Sequence, residues 1–314
     1  MATILITTSS FGKNEPELLQ ILRNHDLEYH LNPLSQKLSE SEITELIEKH
    51  QPIGMIAGVE PLTRKVLEKA KNLKVISRAG IGVDSVDLQA AKDLGIVVTN
   101  TPDAPTIPVA ELVMSMILSL LRSMHISDAS IRQGSWKRPM GRLLQGKTVG
   151  IIGCGRVGSY LAGLLSSFGC TILGCDPFVN KSDNFSMANL EEILSDADII
   201  SLHIPYNQEN HHFINAKRIQ SMKKGALLIN TARGGLIDET AAYEALKSGK
   251  IAGLGLDAYE CEPVTDSPLV SMDNVISTPH TGAHTNEAIS GMGMMAVENL
   301  IAVLSGKDCA YIIK

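Results

Sequence analysis

Several protein classes are excluded by what this chain lacks. Its five cysteines (Cys154, Cys170, Cys175, Cys261 and Cys309) are an odd number without C-x-x-C spacing. That argues against a disulfide framework and a structural zinc site, and it suits a reducing cytosol. No block of Lys or Arg appears, and the formal net charge is −6. Such a balance favours solubility and argues against a nucleic-acid surface. The first eight residues, Met1-Ala2-Thr3-Ile4-Leu5-Ile6-Thr7-Thr8, have no basic region of the kind that opens a signal peptide. The longest apolar stretch, 109–121, is interrupted by Glu111, Ser115 and Ser119, so it is too short and too polar to span a membrane. Internal repeats and low-complexity stretches are also missing. The expectation is a cytoplasmic protein with neither a membrane nor a nucleic-acid partner.

What is present is an alternation of short apolar runs with amphipathic helical patterns, the mark of an α/β architecture with parallel sheets. The 314 residues, 44% hydrophobic and 20% charged, suffice for two domains of roughly 100–200 residues each. In the first third, 4–7, 54–57 and 74–77 read as strands, with helices over 15–23, 40–49 and 63–71. A long helix is expected from Thr106 to about Met124, with Pro108 in its first turn and Glu111 near its positive end. A second α/β unit follows, with strands at 148–152, 171–175, 199–202, 226–230, 253–256 and 275–278. A last helix over 285–304 ends before Gly306, which suits a left-handed cap, and returns the chain to the first domain. The expected fold is two Rossmann-like doubly wound domains. One covers 100–285 and is inserted into a flavodoxin-like domain made of 1–99 and 286–314.

The run from Val149 to Gly158 leads an apolar strand into G-x-G-x-x-G, formed by Gly153, Gly155 and Gly158. A helical pattern follows, then a second strand ending in Asp176. The mechanics point to a dinucleotide. Gly153 permits the tight turn, Gly155 lets a pyrophosphate approach the backbone, and Gly158 allows helix and strand to pack closely. Arg156 and Val157 supply backbone N–H groups at the helix N-terminus. Asp176 is placed to accept from the adenine ribose hydroxyls and to repel the 2′-phosphate of NADP. Cys154 and Cys175 flank this region as small buried fillers.

Ligands in open α/β sheets bind beyond the carboxyl ends of the strands. Three late strands deliver Arg233, Asp257 and His280 to one such edge. Arg233, always charged and fork-shaped, can hold a 2-oxo acid carboxylate and polarise the adjacent carbonyl. His280 can exchange a proton with the carbonyl oxygen as hydride moves to or from C2. Glu262 can bond the other imidazole nitrogen and fix its tautomer. A glycine-rich turn in the first domain, Arg78-Ala79-Gly80-Ile81 and onward to Asp84, resembles an anion nest of backbone N–H groups suited to a substrate carboxylate. The adjacent His211 and His212 have no third ligand at sensible spacing, so no metal is expected.

These residues together resemble the D-specific 2-hydroxyacid dehydrogenase family, over roughly 50–305. The resemblance rests on Gly80-Ile81-Gly82-Val83-Asp84, Val109-Ala110-Glu111-Leu112, the glycine fingerprint and His203-Ile204-Pro205. It continues through Asn230 to Gly235, Gly255-Leu256-Asp257, Glu262-Pro263 and Thr278-Pro279-His280. It implies an NAD-dependent hydride transfer at C2 of a small 2-hydroxy acid, with Arg233, Glu262 and His280 as the catalytic set. It implies further that Thr106, His203, Pro205, Thr231 and Ala232 line the cofactor, that Asp257 binds the nicotinamide amide, and that Gly282 and Ala283 lie beside the ring. A homodimer is the usual assembly of such proteins. The substrate stays open. Thr106-Ile107-Pro108 resembles phosphite dehydrogenases, whereas Arg78 resembles the phosphate-facing arginine of phosphoglycerate enzymes. Ending at Lys314, the chain is expected to lack the regulatory C-terminal domain of long phosphoglycerate enzymes. An NADH-sensing corepressor is the alternative of a different class.

Overall fold

The computed structural model describes residues 2–8, 11 and 16–313. The chain forms two compact units. One comprises Met1–Pro105 with Ala283–Lys314, and the other Thr106–Gly282.

Unit 1 is built on a parallel sheet of β1 (Ala2–Ile6), β2 (Leu27–Leu31), β3 (Gly54–Ala57), β4 (Val75–Arg78) and β5 (Val97–Thr99), in the order β2-β1-β3-β4-β5. This is the flavodoxin-like order. The central strands read as uninterrupted apolar runs because both faces are covered. One layer holds Ile43, Ile47, Val66 and Ala90. The other holds Leu18 and Leu22 with Ala296, Val297 and Leu300. Those last three lie on α11 (Asn286–Leu304). That helix is as long and apolar as a membrane-crossing one, but its buried side chains pack within this core. Thr285 caps its start by accepting from the Ala288 N–H at 3.1 Å. Gly306, at φ +69°, closes its end: Gly306 N–H donates to Val303 O and Lys307 N–H to Ala302 O, a Schellman arrangement.

Unit 2 carries a seven-stranded parallel sheet. Its strands are β6 (Thr148–Ile152), β7 (Thr171–Cys175), β8 (Ser186–Met187), β9 (Ile199–Leu202), β10 (Ala226–Asn230), β11 (Ile251–Leu256) and β12 (Val275–Ser277). Their order, β12-β11-β10-β9-β6-β7-β8, is the Rossmann order 3-2-1-4-5-6 with one further strand. The reversal between β6 and β9 is the switch point at which such sheets bind ligands. Along the chain, α5 (Thr106–Arg122) and α6 (Met124–Arg132) come first; α7 (Arg156–Ser167) follows β6 and α10 (Glu239–Lys247) follows β10. Val113, Met116 and Ile117 of α5 pack with Leu161 and Leu165 of α7 and with Ile229 of β10. The methionines of α5 are core filler, as their helical spacing suggests.

Some of the expected elements need revision. The helix expected over 106–124 stops at Arg122, and a second helix leaves at 67°. Ser123 is left-handed there (φ +49°), and the Leu121 carbonyl accepts from Arg142 N–H at 2.8 Å in place of a helical donor. The helix expected over 63–71 is a single turn, α3 (Arg64–Leu67). Beyond it the carbonyls of Val66, Leu67 and Ala70 accept at i+3, so the chain turns. Three strands were not expected. The edge strand β2 (LEYHL) is mostly exposed and lacks an apolar run, β5 is three residues long, and the edge strand β8 is two exposed residues. The expected helix start at Glu15 lies outside the described residues, and the described helix is α1 (Pro16–Asn24).

Leu300 is fully buried and contacts the space above Gly54. Leu300→Ala should therefore lower the stability seen in urea unfolding by about 2–5 kcal/mol. A loss below ~1 kcal/mol would show that α11 does not belong to the core of unit 1.

Candidate active site

The three glycines after β6 are required for different physical reasons. Gly153 has φ +94°, and a Cβ there would lie 2.5 Å from the His203 carbonyl oxygen. A Cβ on Gly158 would lie 2.1 Å from the Gly153 carbonyl oxygen. The fold itself therefore excludes side chains at both positions. Gly155 differs, because nothing lies within 4 Å of its would-be Cβ. It is the N-cap of α7, and the first-turn N–H groups of Arg156 and Val157 lie beyond the reach of intrahelical acceptors. A bare backbone at a helix N-terminus, with open space above it, suits a pyrophosphate.

Asp176 follows β7 and faces this turn. Its Oδ2 accepts from Cys154 N–H at 2.7 Å and its Oδ1 from Phe178 N–H at 2.8 Å. Each carboxylate oxygen keeps a lone pair for a ribose hydroxyl. Burial pushes the Cys154 thiol up to about 12, so it is an inert filler and no nucleophile. At the end of β9, His203 is half-buried, and its Nε2 lies 2.9 Å from Ser201 Oγ. Burial drives its pKa down to about 4, so the ring is neutral near pH 7. Thr231, after β10, is buried, and its hydroxyl has no hydrogen-bond partner among the described residues. Buried polar groups are rarely left so. Together with the bare Gly155, this orphaned hydroxyl fits a bound dinucleotide.

Two polar side chains at strand ends arrange the loops beyond. The amide of Asn230, the last residue of β10, accepts from Ala232 N–H at 3.1 Å and donates to Arg233 O at 2.8 Å. This fixes the turn that carries Arg233, a half-buried side chain whose Nη1 donates to Ala232 O at 2.8 Å. Asp257 follows β11 and is fully buried. Its Oδ1 accepts from Thr278 Oγ1 at 2.6 Å and Thr281 N–H at 2.7 Å, and its Oδ2 from Gly282 N–H at 2.8 Å. These bonds grip the loop that carries His280 on both sides. His280, at φ +52°, sets Nδ1 at 3.0 and 2.9 Å from the two oxygens of Glu262. Tyr259 N–H also donates to Glu262 Oε1 at 3.1 Å. With Nδ1 committed to the carboxylate, Nε2 is the nitrogen left to exchange a proton.

In unit 1, Gly80 has φ +141°, and a Cβ there would lie 2.6 Å from Nη1 of the buried Arg78. That guanidinium also donates to the Ala79 carbonyl. Ala79 N–H donates to Ala57 O at 3.0 Å and Gly80 N–H to Thr101 Oγ1 at 2.7 Å. The N–H groups of Ile81 and Gly82 make no bond to the described residues. Unit 2 pairs Glu262 with His280 at the carboxyl edge of its sheet, with Arg233, Asp176, His203, Pro205, Thr231, Ala232, Asp257 and Gly282 on the strand ends or adjoining turns. Thr106 opens α5 in the same unit. Arg78, Ala79, Gly80, Ile81 and Ala283 belong to unit 1. His211 Nδ1 meets Tyr206 Oη and His212 Nε2 meets Glu260. Sequence reasoning missed the clamping by Asn230 and the grip of Asp257 on its loop; an Asn or Asp closing a strand just before a functional turn was the available signal.

Residues 114–282 match the family described as D-isomer specific 2-hydroxyacid dehydrogenase, NAD binding domain. A D-3-phosphoglycerate dehydrogenase of Methanocaldococcus jannaschii is 44% identical over 277 residues, covering 86% of this chain and 53% of the relative. A hydroxypyruvate reductase of Thermotoga maritima is 39% identical over 300 residues, covering 93% of this chain and 97% of the relative. Among solved structures, D-lactate dehydrogenase of Aquifex aeolicus, complexed with NAD and lactic acid, superposes with a TM-score of 0.84 at 31% identity, covering 96% of each chain. The chain spans about half the length of the D-3-phosphoglycerate dehydrogenases first among its curated relatives.

The contrast among the glycines yields a paired prediction. Gly158→Ala should destabilise the chain by about 1–3 kcal/mol or more, since helix and strand must move apart. Gly155→Ala should leave stability within about 1 kcal/mol and weaken NADH binding at least about tenfold, since its methyl group fills the open space a phosphate needs. Urea unfolding and NADH fluorescence titration separate the two effects. Equal loss of stability in both variants would contradict the assignment.

Proposed function

The chain belongs to the D-isomer specific 2-hydroxyacid dehydrogenases, NAD-dependent oxidoreductases, and from that premise we propose that it interconverts a small 2-oxo acid and the D-2-hydroxy acid. The observation that carries this reading is the His280–Glu262 pair on the sheet edge that also bears the glycine fingerprint. When bound, NAD supplies or accepts the hydride. Gly153, Gly155, Arg156, Val157 and Gly158 hold its pyrophosphate, and Asp176 its adenine ribose. Thr231, Ala232, His203, Pro205 and Thr106 hold the remainder, and Asp257 and Gly282, followed by Ala283, border the nicotinamide.

The rest of the chemistry falls to side chains. Arg233 pairs with the substrate carboxylate and polarises the neighbouring carbonyl, a task for a planar, permanently charged group. His280 gives a proton from Nε2 to the carbonyl oxygen as C2 is reduced, and takes it back in oxidation. Glu262 holds Nδ1, fixing which nitrogen works and balancing the imidazolium charge. Within unit 1, the turn of Arg78, Ala79, Gly80 and Ile81 is an anion nest of backbone N–H groups, and Arg78 donates to the Ala79 carbonyl there. The printed names of the relatives, D-3-phosphoglycerate dehydrogenase, hydroxypyruvate reductase and glyoxylate reductase, define the substrate range to test. Trp136, Met140 and Leu143 are highly exposed on the segment after α6, and this apolar arm supports a homodimer. The free cysteines suit a cytoplasmic location.

The test is NADH oxidation with glyoxylate, hydroxypyruvate, 2-oxobutyrate and phosphohydroxypyruvate side by side. Turnover of at least one is expected, with NADH preferred over NADPH because Asp176 meets the 2′-phosphate with like charge. His280→Ala should lower kcat by roughly 10²–10⁴-fold and leave NADH affinity nearly intact. Failure of all four substrates, or a His280→Ala variant with wild-type kcat, would overturn the proposal.

A further inference from the structure

The turn carrying Arg233 and the turn carrying Glu262 come from different strands, yet they meet backbone to backbone. A Cβ on Gly234 would lie 1.8 Å from the Tyr259 carbonyl carbon and 2.4 Å from the Glu260 nitrogen. A Cβ on Gly235 would lie 2.6 Å from the Tyr206 ring. The Arg233-Gly234-Gly235 segment is therefore held between two loops with no room for a side chain.

Two glutamates close this contact. Glu239 opens α10, six residues after Arg233, and Glu260 lies two residues before Glu262. Glu239 N–H donates to Glu260 Oε1 at 3.2 Å, and Glu260 N–H donates to Glu239 Oε1 at 2.8 Å. Each carboxylate thus accepts from the other residue's backbone. His212 Nε2 reaches Glu260 Oε1 at 2.8 Å, and its own N–H donates to Gly235 O at 2.8 Å. Ser267 Oγ donates to Glu239 Oε2 at 3.4 Å. The bonds run between main chains and carboxylates, so they fix the course of the two loops as well as their side chains.

We infer that Glu239 and Glu260 are positioning residues, a reciprocal clasp that sets the spacing between Arg233 and the Glu262–His280 pair. The inference rests on the roles proposed above for those three residues. A carboxylate-holding arginine and a proton donor must address one small substrate at once, and displacement of a reacting group by about 1 Å can reduce a rate by on the order of 10²-fold. The clasp ties the loop of Glu260 to the start of α10, five residues beyond Gly234, whose own backbone meets Tyr259. Its action needs acceptor oxygens and not negative charge, since glutamine can accept the same backbone N–H groups.

The test compares the full-length double variant Glu239→Ala/Glu260→Ala with Glu239→Gln/Glu260→Gln. The readouts are kcat and KM for the best substrate of the panel, NADH affinity by fluorescence, and the melting temperature. The alanine pair should lower kcat on the order of 10- to 100-fold, with NADH affinity within about twofold of wild type, because the residues assigned to the pyrophosphate and adenine ribose lie after β6 and β7, away from the clasp. The glutamine pair should recover most of the lost kcat. If the alanine pair does not fold, Glu260→Ala alone, which leaves the Glu260 N–H bond to Glu239 in place, carries the same comparison against Glu260→Gln. Wild-type kcat in the alanine variant would overturn the clasp, as would a glutamine pair as impaired as the alanine pair. A wild-type chain that reduces no 2-oxo acid would overturn the functional reading instead.

Discussion

Asp257 is the side chain on which the working edge of unit 2 depends. It is fully buried, and its carboxylate is satisfied by Thr278 Oγ1, Thr281 N–H and Gly282 N–H. Its own N–H donates to Asn230 O at 3.0 Å, which ties the ends of β10 and β11. A parallel sheet leaves unpaired polar groups where its strands stop, and buried groups of that kind must find partners. Here the partners belong to the loop that presents His280. Removing the carboxylate would leave the buried Gly282 N–H unmatched, at a cost of about 1–3 kcal/mol, and would free the part-buried donors of Thr278 and Thr281 as well. A left-handed His280 is held in that loop against the preference of a non-glycine residue.

The same economy of space recurs across the site. Gly158 lies against Gly153, and Gly234 against Tyr259, each with no room for a methyl group. Backbone in direct contact cannot slide or repack as side chains do, so it fixes distances well. The fold thus positions its chemistry through main chain and short polar side chains, Asn230, Asp257, Thr278 and Thr281. The reacting groups are mounted on that frame. Gly155 stands apart because its space is left open, and openness at a helix N-terminus is what an anion requires.

Much of this arrangement was legible in the sequence. The apolar runs of β6, β9 and β10 announce strands covered on both faces, and the glycine fingerprint between β6 and α7 names a dinucleotide. Arg233, Glu262 and His280 follow from asking what each late strand delivers at its carboxyl end, and the structure places Glu262 against His280 as that reasoning suggests. Other features were hidden for physical reasons. The edge strand β2 exposes most of its side chains, so it carries no periodic apolar signal. The break at Ser123 depends on Arg142, a residue distant in the chain, reaching the Leu121 carbonyl. The Glu239–Glu260 clasp joins residues 21 positions apart, and either alone reads as an ordinary surface glutamate. Arg78 shows a related limit: its burial and its bond to Ala79 become visible only in three dimensions.

The central claim is that this edge directs hydride to one face of C2 while His280 handles the proton. Reduction of the best of hydroxypyruvate, 2-oxobutyrate and phosphohydroxypyruvate, whose products have a stereocentre at C2, with NADH deuterated at both C4 positions, followed by chiral separation and mass spectrometry of the product, tests it most directly. The account predicts a D-configured 2-hydroxy acid with one deuterium bonded to C2. An L-configured product, or a C2 carrying hydrogen drawn from water, would contradict it.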